Sequence, residues 1–213
     1  MQKKISHSLK LISGAVDEFG DKLGVACSFG KDSIVLVHLA QRINPNIKVF
    51  SIMTPWKFQL TRQYKDYMAQ TFRMNLATFE APHHFEHTPD LGVEDCCEYY
   101  KVEQTKKAIK ELGLTAWIAG LRNTEGHTRE FLDEIEERDG IIKINPILSW
   151  TEAEVWLYHA IYQIPPHPLY LQGYRSLGCE PCSKPNTETE RGGRWEGTDK
   201  CGGECGIHSK SLA

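Results

Sequence analysis

Short apolar, β-prone runs alternate with amphipathic stretches over the first three quarters of the chain. Residues 23–27, 47–52, 75–80, 116–120 and 141–145 read as strands. Residues 5–19, 34–42, 59–72, 96–112 and 151–162 read as helices. Thr151 opens the last of these as an N-cap, with Glu154 three residues on to complete a capping box. Such alternation leaves few folds open. Parallel strands need long crossovers, and helices supply them while covering the sheet. The pattern predicts an α/β fold: a parallel twisted sheet with helices on both faces. After Pro165 the periodicity stops. The tail is rich in Gly, Pro, Cys and charge, so it needs an outside organiser such as a metal or docking onto the sheet. The expected organisation is an α/β domain over residues 1–164 and an irregular Cys-rich segment over 165–213 packed on it.

The length of 213 residues suits one such domain with a short appendage. Its 25 basic and 28 acidic residues give a net charge of −3, which argues against a nucleic-acid partner. No apolar run is long enough to span a bilayer, so no membrane partner is expected. Residues 1–6 lack the apolar core of a signal peptide. A cytoplasmic address is the expectation, and there thiols stay reduced. The seven cysteines are then read as metal ligands or reactive thiols, and an odd count forbids complete internal pairing.

Ser28-Phe29-Gly30-Lys31-Asp32-Ser33 lies between the first predicted strand and its helix. Backbone N–H groups and a helix N-terminus meet there, which suits an oxyanion. The spacing is not that of a Walker A loop. Among the cysteines, Cys179-x-x-Cys182 and Cys201-x-x-x-Cys205 have the spacing of a four-thiolate zinc site, and iron–sulfur clusters use the same donors. Cys96 and Cys97 are adjacent, with Asp95 as a candidate N-cap. Cys27 sits in an apolar strand and reads as a core residue. His83, His84 and His87 read as a polar surface loop.

The loop resembles the PP-loop, S-x-G-x-D-S, of the adenine nucleotide α-hydrolase-like superfamily. The further motifs are Cys96-Cys97 with Lys101-Val102, Gly120-x-Arg122, Lys143-x-Asn145-Pro146-Ile147, Gly178-Cys179-x-Pro181-Cys182, Gly193-Arg194-Trp195 and Glu204-Cys205-Gly206-Ile207-His208. Together they resemble the assimilatory sulfonucleotide reductases, the adenylyl-sulfate (APS) and phosphoadenylyl-sulfate (PAPS) reductases, from about residue 24 to the end. The resemblance replaces the zinc reading by a [4Fe-4S] cluster on Cys96, Cys97, Cys179 and Cys182. It leaves Cys205 as the nucleophile and implies thioredoxin or glutaredoxin as reductant. It is compatible with a homo-oligomer. His208 and Lys101 are the further candidate catalytic residues. The substrate-binding candidates are Ser28, Phe29, Gly30, Lys31, Asp32, Ser33, Arg122, Arg129, Arg191 and Arg194. The implied reaction is the reduction of APS to sulfite and AMP through an S-sulfocysteine. PAPS reduction and an ATP-using activity, as in a sulfate adenylyltransferase subunit, are the alternatives.

The chain departs from the family's motifs in several places. Tyr100 stands where the family usually has Arg, so one positive charge is missing. Thr54-Pro55-Trp56-Lys57-Phe58 replaces the usual Thr-Gly stretch. Glu125 and Gly126 replace the usual Gln-Ser, and the Glu, with Lys31 and Asp32, leans toward the ATP-using members. Cys201 is extra, with resolving, disulfide-forming and structural roles all open.

Overall fold

The computed structural model describes residues 1–82, 92–186, 188–198, 200 and 203–209. The expected elements are present: α1 (Gln2–Phe19), β1 (Leu23–Ala26), α2 (Lys31–Ile43), β2 (Lys48–Met53), α3 (Gln59–Thr71) and β3 (Asn75–Glu80). After these come α4 (Val93–Cys97), a π-helical turn at Glu98–Val102, α5 (Glu103–Leu112) and β4 (Ala116–Ile118). The hairpin β5 (Ile135–Arg138) and β6 (Ile141–Ile144), α6 (Glu152–Ile161) and the short α7 (Gly206–Ser209) complete the order. Thr151 and Glu154 form the expected capping box at α6.

The strand order is β3-β2-β1-β4-β6-β5. All pairings are parallel except β5 with β6. The period of two places alternate side chains in two cores. Val49 and Ile118 face the first core with the apolar sides of α1, α2 and α6, while their neighbours Phe50 and Trp117 face the second with Ala108 and Ile109 of α5. The sheet is thus covered on both faces, as the alternation predicts.

Two local readings need correction. β5 is absent from the sequence reading because Ile135-Glu136-Glu137-Arg138 is a largely exposed edge without apolar alternation. Its signal is the turn: Asp139 and Gly140 both have positive φ (54° and 75°), as a two-residue hairpin turn requires. The helix carrying the vicinal cysteines begins at Val93 with Gly92 as N-cap, not at Asp95. Glu94 and Asp95 occupy its first turn, where negative charge complements the helix dipole.

The strand order fixes where a ligand belongs. From β1 the chain builds outward through β2 and β3, then crosses back to β4 on the other side of β1. The carboxyl ends of β1 and β4 therefore flank a switch point, the usual ligand crevice of an open α/β sheet. The tail returns to that edge. Cys179 forms an antiparallel bridge with Lys57, and Ser183 forms one with Arg194.

Candidate active site

A cavity lies at the carboxyl ends of the central strands. Ser28 after β1, Ile52 of β2 and Ala119 and Gly120 after β4 line it, together with Cys205 and His208 from the tail. Gly120 lets β4 approach the start of α2: a Cβ there would sit 3.3 Å from the Ser33 amide nitrogen. The loop itself is tightly built. Gly30 caps α2. The Ser28 and Ser33 hydroxyls lie 3.2 Å apart, and Ser33 Oγ donates to the Gly30 carbonyl at 3.1 Å. Phe29 has φ 63°, costly for a non-glycine residue, and its ring is fully buried. Only its main chain is left for the loop.

The charged loop residues are turned inward. Lys31 Nζ pairs with Glu190 at 2.8 Å and with Asp32 at 3.4 Å, and donates to the Arg175 carbonyl at 3.1 Å. Its amide donates to Tyr170 Oη at 2.8 Å. Arg122, fully buried, donates from Nε to Asp32 at 2.6 Å and also pairs with Glu190. Lys31 and Arg122 are thus bridged twice, by Asp32 and by the tail carboxylate of Glu190.

Cys97, Cys179 and Cys182 are buried in one apolar cluster with Val93 and Trp195, against which Trp56 and Cys205 pack, and Cys96 is buried in an adjoining cluster with Tyr100 that Trp56 also borders. Each of the four interacts electrostatically with the other three. Burial, then Cys97 and Cys179, pushes the Cys96 thiol up to about 12. Cys179 goes the other way: burial alone would raise it, but Lys101, Lys57, the Thr54 hydroxyl at 3.1 Å and Arg194 together lower it. Four mutually repelling soft donors in an apolar pocket ringed by cations fit an iron–sulfur cluster. The π-helical turn follows Cys97 directly, and within it Lys101 Nζ reaches back to Cys97 Sγ at 3.6 Å. Cys27 is a core residue as expected, its thiol raised by burial to about 11. Cys201 and the three loop histidines lie outside the described residues.

Lys31, Lys57, Lys101, Arg129, Arg191 and Arg194 line the cavity. Carboxylates divide them. Lys31 is held by Glu190. Arg129 grips Glu204 through Nε and Nη2 at 2.6 and 2.9 Å and also pairs with Glu125, while Arg191 reaches Glu204 at 3.3 Å. Lys57, Lys101 and Arg194 have no carboxylate partner among the described residues. Burial would lower the Lys101 ammonium, but Cys179, Cys205 and Cys97 hold it charged. Arg194 donates to the Leu177 carbonyl at 2.5 Å and lies 4.4 Å from the Trp195 ring centre. Lys57 has no place among the sequence candidates, although the departing 54–58 stretch contains it. Cys205 is partly buried, and its amide donates to Glu204 at 2.8 Å.

His208, a candidate catalytic residue, does not join the positive field. Burial, then Arg129, lowers its pKa to about 3, so it is a neutral imidazole at pH 7. It stacks on Trp117 with 6.0 Å between ring centres. Its Nδ1 is buried without a hydrogen-bond partner among the described residues.

The phosphoadenosine phosphosulfate reductase domain matches residues 22–185, well over half of the chain. The chain belongs to this reductase family. It is 33% identical over 224 residues to "Adenosine 5'-phosphosulfate reductase 2" of Bacillus subtilis, covering 97% of this chain and 92% of that one. It is also 33% identical over 215 residues to a phosphoadenosine 5'-phosphosulfate reductase of Gloeobacter violaceus, covering 93% and 87%. The phosphate complex of Candida auris PAPS reductase superposes with TM-score 0.70 at 26% identity, covering 84% of this chain and 96% of that one. The matched domain contains all four clustered thiols, whereas Arg191, Arg194, Cys205 and His208 lie beyond it. The Bacillus reductase aligns with nearly the whole chain.

Proposed function

We propose that the protein reduces APS to sulfite and AMP in sulfate assimilation, with Cys205 as nucleophile. The observation that carries this reading is Cys205 in the switch-point cavity beside Lys57, Lys101 and Arg194, cations without carboxylate partners among the described residues. The Cys205 thiolate attacks the sulfate sulfur. A sulfur–sulfur bond forms, the sulfur–oxygen bond to the phosphate breaks, and AMP leaves with the electron pair. A dithiol protein of the thioredoxin or glutaredoxin class then attacks Cys205 Sγ in the S-sulfocysteine, and sulfite leaves with the sulfur–sulfur electron pair. The partner's second thiol resolves the mixed disulfide and returns the Cys205 thiolate. Two electrons pass from dithiol to sulfur.

The protein's own groups serve the first step. The unpaired cations balance the anionic substrate and favour the thiolate. Neutral His208 offers a hydrogen bond rather than a charge. Cys96, Cys97, Cys179 and Cys182 would hold the [4Fe-4S] cluster. When bound, the cluster supplies a fixed charge and a rigid anchor beside Lys101.

The test is parallel sulfite release from APS and PAPS with thioredoxin present. Faster release from APS, with S-sulfonate trapped on Cys205 when reductant is withheld, supports the reading. Preference for PAPS, or sulfate-dependent consumption of ATP, overturns it. The ATP reading is disfavoured by Lys31, whose ammonium is already held by Glu190 and the Arg175 carbonyl.

A further inference from the structure

Lys57 stands apart from the other basic residues at the cavity. It lies on the loop after β2, and its backbone is pinned by the bridge to Cys179. The neighbouring amide of Glu180 donates to the Trp56 carbonyl at 2.8 Å, fixing the same turn. The side chain lines the cavity with Lys101, Arg194 and Cys205. Among the described residues, Nζ has neither a carboxylate nor a hydrogen-bond acceptor. A half-buried ammonium without a partner is costly unless an anion joins it.

The surroundings explain why the cation comes from this loop. Where the family's motif has Arg, this chain has Tyr100, which is fully buried and meets Trp56 edge to face at 4.5 Å between ring centres. Trp56 immediately precedes Lys57. The two departures from the family pattern therefore pack against each other. One removes a positive charge from the helical side of the site, and the other adds one from the β2 side.

We propose that Lys57 is a substrate-binding residue whose ammonium, with Lys101 and Arg194, receives the sulfate end of the sulfonucleotide. The proposal rests on the functional reading above. Three donors around one tetrahedral oxyanion can bind several of its oxygens at once while Cys205 approaches the sulfur. Phosphate oxygens deeper in the nucleotide would fall to the main chain of residues 28–33.

Equilibrium binding tests it in the cluster-loaded protein carrying Cys205→Ser, which cannot turn over. APS carries the sulfate and AMP does not, so their difference isolates the contact. Adding Lys57→Met should weaken APS about tenfold, or ~1.4 kcal/mol, and change AMP less than about twofold, with Lys57→Arg restoring most of the APS affinity. Equal losses for APS and AMP, or no loss for either, overturn the proposal. If the Lys57→Met protein fails to fold, Lys57→Gln carries the same comparison. Inorganic sulfate is titrated alongside. Should the Cys205→Ser parent bind neither nucleotide, the functional reading fails. The sulfate titration then decides Lys57 by itself: about tenfold weaker binding in the Met variant supports the contact, and unchanged binding overturns it.

Discussion

Glu204 and Arg129 form a two-toothed ion pair, 2.6 Å from Nε and 2.9 Å from Nη2, immediately before the nucleophile. The same carboxylate accepts the Cys205 amide at 2.8 Å and the Arg191 guanidinium at 3.3 Å. One side chain thus anchors the reactive residue to the sheet domain. Glu204→Gln keeps the shape and removes the charge. We expect kcat for sulfite release to fall on the order of tenfold to a hundredfold, because charge-assisted bonds of this kind contribute about 1.5–3 kcal/mol. Visible cluster absorbance should stay, and deuterium uptake over residues 203–209 should rise. Unaltered exchange there would show that the pair does not hold the tail.

The two cysteine roles separate by substitution. Cys205→Ser should keep the visible absorbance of the cluster and form no S-sulfonate with APS. Cys179→Ser should lose both absorbance and activity, since it removes one of the four proposed ligands and the sulfur that the Thr54 hydroxyl meets. Normal turnover by Cys179→Ser would refute the ligand assignment.

Gly178 gives Arg194 its place. An added Cβ would land on the guanidinium, which is pinned by the Leu177 carbonyl and the Trp195 ring. Gly178→Ala should therefore raise KM for the sulfonucleotide about tenfold, the loss of roughly one charge-assisted contact. An unchanged KM would remove Arg194 from the substrate's contacts.

Acid should loosen the site before it attacks the sheet. Burial, then Arg129, lowers His208 to about 3; burial, then Lys57, lowers His167 to about 4. Both start from 6.5, so between that value and their folded values the unfolded chain binds protons that the folded one refuses. Stability is fully present above 6.5 and declines as pH falls through the window. Urea midpoints should drop between about pH 7.5 and about pH 5, and His208→Asn should flatten part of that slope. An equal slope in the variant would assign the effect elsewhere.

Tyr100 cannot be returned to the family's Arg without cost. It is fully buried against Trp56, and the new charge would be buried next to Lys101 in the chain. Tyr100→Arg should destabilise by about 3 kcal/mol or more, whereas Tyr100→Phe should cost about 1 kcal/mol or less. Thermal unfolding midpoints check both.

The alternating pattern was enough to read the sheet and its covering helices, because period-two strands and amphipathic helices write burial directly into sequence. Edge strand β5 was not legible, since solvent on its faces removes the apolar rhythm that marks a strand. Spacing along the chain does not reveal that Cys97 lies near Cys179 and Cys182, because they come together only where the tail folds back to the β2 loop. The basic residues were legible as types but not as free or neutralised. That division depends on Glu190 and Glu204, whose tertiary positions no local pattern encodes. Lys57 was hidden for the same reason, having no motif of its own.

Glu190 and Glu204 also give the molecule two kinds of cohesion. The sheet layer is held by apolar packing, whereas these links between tail and sheet are ion pairs, Glu190 to Lys31 and Arg122, and Glu204 to Arg129. These pairs are largely buried, so salt screens them far less than it would pairs on the surface. The segment around Cys205 is therefore tied to the sheet by buried charge as well as by Ile207 and His208, and raised ionic strength alone should not detach it.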